Sequence, residues 1–81
     1  MPIILYTTAG CHLCDLAEAL LLAMPAHYQI ELIHTEIGDD DDLVERYGIR
    51  IPVLQFSDGS EIGWPFEQAD VVARLDAIMT G

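Results

Sequence analysis

Residues 3–14 read IILYTTAGCHLC, and the fold turns on this stretch. Ile3-Ile4-Leu5-Tyr6 reads as a short buried strand: apolar, partly β-branched and too short for a helix. Thr7-Thr8-Ala9-Gly10 is a turn. Cys11-His12-Leu13-Cys14 follows, and its two cysteines are the only ones in the chain. Cross-link stabilisation grows with the size of the closed loop, so a pair this close closes almost nothing. The spacing suits a bond that is made and broken rather than a staple.

Beyond the pair, Leu13, Leu16, Ala17, Leu20, Leu21 and Met24 form an apolar stripe at helical spacing, and Pro25 ends it. The cysteines therefore lie where a strand meets a helix N-terminus. Cys11 falls at the helix mouth and Cys14 about one turn in, on the same face, a separation compatible with a disulfide. A helix N-terminus presents unpaired N–H groups and partial positive charge, which favour a thiolate, the reactive form. The expected roles are attack by Cys11 and resolution of the mixed disulfide by Cys14. Asp15 and Glu18, in the first turns of the same helix, oppose a thiolate, whereas a protonated His12 would favour it. His12 is thus either an exposed spacer or a tuner of the Cys11 thiolate.

The chain has 81 residues, and one domain spanning residues 1–81 is expected. Half of it is hydrophobic, which argues against disorder. The opening residues run straight into a strand, with no basic leader and no long apolar segment, so neither a signal peptide nor a membrane span is expected. A cytoplasmic, reducing setting fits a reversible dithiol. The formal charge is −11, with 14 Asp and Glu against three Arg and no Lys. Nucleic acid and anionic membranes are poor partners for such a surface, and a monomer is expected. Three stretches poor in carboxylates are candidate core: the first strand, Ile49 to Ser57, and Val71 to Leu75.

Tyr28 to Ile37 reads as a second strand, broken by Gly38. Asp39-Asp40-Asp41-Asp42 leads into Leu43, Val44 and Tyr47 with Gly48 as a stop, a short helix with an aspartate N-cap and an acidic first turn. The run lacks the alternating ligands and the glycine of a calcium loop. Ser57-Asp58-Gly59-Ser60 is a turn signal, making residues 53–63 a hairpin whose second strand is Glu61-Ile62-Gly63. Pro65 opens a last helix that carries Phe66, Ala69, Val72, Ala73, Leu75 and Met79 inward. The order βαβαββα, with a right-handed crossover between the first two strands, predicts a mixed four-stranded sheet with helices on both faces.

With Cys11-x-x-Cys14 at a strand–helix junction, Tyr47-Gly48-Ile49, Ile51-Pro52-Val53 and Gly63 before the last helix, the chain resembles the glutaredoxin-like branch of the thioredoxin-fold superfamily over essentially its whole length. The resemblance implies a small thiol–disulfide oxidoreductase working through a reversible Cys11–Cys14 dithiol. It also implies a cis Pro52 beside the reactive sulfur, with the Ile51 backbone free to pair with an extended substrate. Gly63 and Trp64 would shape the far wall. The chain departs from the family pattern in carrying Thr8 where a basic residue is usual, His12-Leu13 between the cysteines, Arg50 before Ile51-Pro52, and Gly63-Trp64 in place of a glycine pair. The family's glutathione carboxylate site would then rest on Arg50 and backbone N–H groups, with Glu67 against it. No tightly bound cofactor and no metal site is expected, and glutathione is a possible co-substrate. Exchange with a disulfide-containing protein, reset by a reductase or thiol donor, is favoured over glutathione transfer.

Other readings remain beside these. The cysteines could be buried and merely packed. One Cys-x-x-Cys supplies only two of the usual four zinc ligands, with His27 and His34 distant in sequence. Trp64 covers the last helix or walls a substrate groove. Arg50 is a counter-ion in an acidic chain or a substrate anchor. A non-catalytic redox-sensing or peptide-binding module on the same fold is the alternative to an enzyme.

Overall fold

The computed structural model describes residues 1–80. In chain order the elements are β1 (Pro2–Thr7), α1 (His12–Leu22), a 3-10 turn (Ala26–Tyr28), β2 (Glu31–Glu36), α2 (Asp41–Tyr47), β3 (Val53–Gln55), β4 (Glu61–Gly63) and α3 (Gln68–Thr80). The sheet order is β2-β1-β3-β4. β1 pairs in parallel with β2 from Pro2–Glu31 to Thr7–Glu36, and antiparallel with β3 at Ile4–Gln55, Leu5–Leu54 and Tyr6–Val53. β3 and β4 close the sheet as a hairpin. The mixed four-stranded sheet and the expected element order are both present.

Alternation along β1 feeds two cores. Ile3 and Leu5, with Leu54 and Phe56, face α1 and α3 and pack on Ala17, Leu21, Met24, Val71 and Leu75. Tyr6 and Val53 face the other way and pack with Ile37 and Tyr47 under α2. Helices therefore cover both faces. The coverage is unequal, because α2 has only seven residues and leaves Ile33 and Val44 exposed. Each end of α2 is fixed by a specific contact. The Asp40 carboxylate accepts from the N–H groups of Asp42 and Leu43 at its start. At its end, Gly48 lies so close to the Val44 carbonyl that any side chain would collide with it.

Several expectations are corrected in detail. The second strand begins at Glu31, not Tyr28, because Ala26–Tyr28 forms a 3-10 turn ended by Gln29 in the left-handed region at φ 50°. Tyr28 is buried there, and its hydroxyl donates to Asp76 on α3. The last helix begins at Gln68 rather than Pro65. The Trp64–Pro65 bond is cis, and Phe66 reaches the core from the loop. Phe66 therefore does not set the helical phase: Val71 and Leu75 are the buried residues, while Ala69, Ala73 and Met79 are exposed. In α1, Cys14 takes a buried position, and Leu13 and Leu16 are left largely exposed. Ile49, in a stretch read as candidate core, is fully exposed.

Leu54 is completely buried at the centre of the larger core. Leu54→Ala is expected to lower unfolding stability by about 2–5 kcal/mol in urea denaturation, whereas Leu16→Ala on the exposed side of α1 costs under about 1 kcal/mol.

Candidate functional site

β1 ends at Thr7, and the chain must turn before α1 can pack back across the sheet. Gly10 makes that turn at φ +79°, a conformation that disfavours any side chain. Cys11 follows as the N-cap of α1. Its N–H donates to the Thr8 carbonyl at 3.2 Å, and its Sγ accepts the backbone N–H of Cys14 at 3.2 Å. A disulfide joins Cys11 to Cys14, with Cα atoms 5.3 Å apart. Cys14 is 3% exposed, while Cys11 is partly open to solvent. Cys11 is thus the more accessible residue of the pair. His12 is exposed in the first turn.

Register places the other candidate residues at the same end of the sheet. Val53 pairs with Tyr6 on one side and Gly63 on the other, so Pro52 lies just beyond the sheet, where β1 runs into the cysteine loop. The Ile51–Pro52 bond is cis, and Pro52 is buried. Its carbonyl accepts the Trp64 N–H at 3.0 Å. Gly63 passes close to the Arg50 carbonyl. The Trp64 ring is half-buried, edge-on to Phe66 with centroids 5.1 Å apart, and lies against the larger core. Ile51 differs from the free-backbone picture. Its N–H donates to the Tyr47 carbonyl at 3.0 Å, and only its carbonyl accepts no backbone hydrogen bond among the described residues.

The surroundings are acidic. Thr8, where a basic residue is usual, instead places its hydroxyl where it helps to lower the Glu36 carboxyl pKa. Glu36 also accepts the N–H groups of Ala9 at 2.9 Å and Gly38 at 2.8 Å. It thus pins the loop that leads into Cys11, a role that sequence alone does not reveal, because the partners lie up to 28 residues away. At the entry to α3, the Asp70 carboxylate accepts the Glu67 N–H at 2.8 Å, so the chain's own acid occupies that end. Arg50 is half-exposed, with its guanidinium 5.7 Å from the Tyr47 ring centroid and 4.0 Å from Glu61. Tyr47 itself is pushed up to about 12 by burial, and then by its hydrogen bond to Glu61, so its hydroxyl remains a donor at neutral pH. Among the described residues, no group of three or more His, Cys, Asp or Glu is arranged to hold a metal ion. His34 contacts Glu18 at 3.0 Å, and His27 lies against Tyr28, both away from the cysteines in the chain.

The N–H of Gly38, the Thr8 hydroxyl and the Ala9 N–H hold the Glu36 carboxyl below the usual carboxylate range. Its contribution to stability is therefore present above the unfolded value of about 4.3 and is lost as pH falls through the lowered folded value. The stability gap between the native chain and Glu36→Gln should be widest at neutral pH and close in strong acid. Parallel denaturation series from neutral to acid check this, and a gap independent of pH would contradict it.

The comparisons with known proteins agree with this geometry. No curated protein matches the chain. Among solved structures, structural-genomics target protein XcR50 from X. campestris is 38% identical, with a TM-score of 0.79 in its X-ray structure; the match covers 93% of this chain and 96% of that one. Its solution structure matches with a TM-score of 0.78 over 95% of each chain. Thioredoxin 1 from Thermosipho africanus is only 10% identical but superposes with a TM-score of 0.72 over 99% of this chain and 96% of its own, which establishes the fold. The family described as "Glutaredoxin-like domain (DUF836)" matches residues 2–76. The chain therefore belongs to the glutaredoxin-like family and has the thioredoxin fold.

Proposed function

We propose that the protein is a dithiol oxidoreductase that reduces disulfides in other proteins. The carrying observation is the asymmetry of the Cys11–Cys14 pair: an approachable sulfur that caps a helix beside a buried partner. In the reduced state the Cys11 thiolate attacks a substrate disulfide. One S–S bond forms between Cys11 and substrate, the substrate S–S bond breaks, and one substrate thiolate leaves to take a proton from solvent. Cys14, one helical turn away, then gives up its proton and attacks the Cys11 sulfur. The mixed disulfide breaks, the second substrate thiol leaves, and the Cys11–Cys14 bond closes. Two electrons have passed from the dithiol to the substrate, and an external thiol donor or reductase must return them.

Ile51 and Pro52 are the proposed docking edge. A substrate strand would donate an N–H to the Ile51 carbonyl, since the Ile51 N–H is already engaged. Arg50, Gly63 and Trp64 border that edge, and His12 is the proposed tuner of the Cys11 thiolate. A protein substrate is favoured over glutathione on electrostatic grounds. Glutathione is anionic, Thr8 stands where a cation would help, and Glu67 and Asp70 lie at the entry to α3. A reducing compartment such as the cytoplasm suits this cycle.

Trapping tests the reading. Reduced Cys14→Ser protein mixed with insulin should accumulate a mixed disulfide through Cys11, seen by intact mass, and Cys11→Ser protein should accumulate none. Oxidised glutathione at equal disulfide concentration should trap Cys14→Ser more slowly than insulin. Failure of both variants to trap insulin would remove the oxidoreductase reading, and faster capture of glutathione would remove the preference for protein substrates.

A further inference from the structure

Glu61 sits on β4, pointing to the α2 side of the sheet, and is largely buried for a carboxylate, with its side chain 24% exposed. Its Oε2 accepts the Tyr47 hydroxyl at 2.5 Å and lies 3.4 Å from Gln55 Nε2. Its Oε1 faces the Arg50 guanidinium at 4.0 Å. Tyr47, 1% exposed, is held at both ends. Its hydroxyl goes to Glu61, and its backbone carbonyl accepts the N–H groups of Arg50 at 2.8 Å and Ile51 at 3.0 Å. Stacking on Tyr6, with ring centroids 4.2 Å apart, fixes the ring between them. The segment from Gly48 to Pro52, between α2 and β3, has no helix or strand of its own. Its placement comes from Tyr47, and from β4 through the Trp64 N–H to the Pro52 carbonyl.

We propose that Glu61 is a positioning residue for substrate docking: acting through Tyr47 and Arg50, it holds the Arg50–Ile51–Pro52 edge in the conformation that receives a substrate strand. This rests on the oxidoreductase reading for its consequence in turnover, but the positioning itself does not. A carboxylate suits the task because it accepts from a phenol and an amide while attracting a guanidinium. Gln at the same place keeps one acceptor oxygen for Tyr47 and loses the attraction for Arg50. Ala loses both.

Two measurements on the full chain test it. The first is amide hydrogen exchange by NMR. The Arg50 and Ile51 N–H groups should exchange on the order of tenfold faster in Glu61→Ala, since the charge-assisted bond that holds their acceptor residue is gone. In Glu61→Gln they should fall between Ala and native. The second is single-turnover oxidation of the reduced protein by insulin, read by acid quench and thiol alkylation. The half-saturating insulin concentration should rise at least about threefold in Glu61→Ala, with the maximal rate and the Cys11–Cys14 reduction potential unchanged. Glu61→Gln should recover part of that loss. Unchanged exchange at Arg50 and Ile51 would overturn the proposal. So would a fall in maximal rate together with a shifted potential, which is the pattern of general damage. A native protein that is oxidised by diamide but not by insulin would instead sink the oxidoreductase reading, and exchange alone would then decide the role of Glu61.

Discussion

The rest of the structure depends on the pairing of β1 along both of its edges. Its parallel partner β2 takes all six of its residues, and β3 takes Ile4, Leu5 and Tyr6 in the opposite sense. A strand so occupied cannot shift register without turning Ile3 and Leu5 out of one core and Tyr6 out of the other. Its end at Thr7 is therefore fixed, and α1 must start within a few residues to cross back toward β2. Cys11 becomes the cap of α1 for that reason, and Pro52 comes to the same end because β3 begins one residue later. The cysteine pair owes its position to the sheet and its differential exposure to the helix.

Carboxylates do the anchoring around that end. Glu36 holds the loop entering Cys11, Asp40 starts α2, Glu61 grips Tyr47, and Asp70 caps the approach to α3. Part of the charge of −11 is thus spent on backbone and phenol donors rather than on solvent. Arg46 and Arg50, two of the three cations, both lie within 6 Å of the Tyr47 ring centroid. Under the proposed function, these carboxylates would disfavour an anionic small thiol, whereas a protein substrate would find the Ile51 carbonyl without a backbone partner among the described residues.

What could be read from sequence was what short-range rules govern. The strand–turn–helix context of Cys11 and Cys14, the aspartate cap of α2 and the Asp58-Gly59 turn each depend on residues within a few positions. Ile51-Pro52-Val53 was legible only by resemblance, and the cis bond there agrees with it. Pro65 misled because proline favours the first turn of a helix, yet here it sits in a cis bend three residues before α3. Glu36 and Glu61 carried no local signal at all. An acidic residue in a strand looks solvated until the fold brings Ala9 to the first and Tyr47 to the second. The face of α3 was misread for a related reason: Phe66 has the hydrophobicity of a helix position but enters the core from a loop.

The central claim is that the Cys11 sulfur, capped by the Cys14 N–H at the mouth of α1, is the reactive thiolate. The direct measurement is the pH dependence of iodoacetamide alkylation of the fully reduced protein, with modification at each cysteine resolved by mass. The account predicts that Cys11 is modified first, with its rate titrating below the free-cysteine value of about 8.5, while Cys14 stays protected until the protein unfolds. Equal modification of both cysteines, or inertness of both in the folded protein, would contradict it.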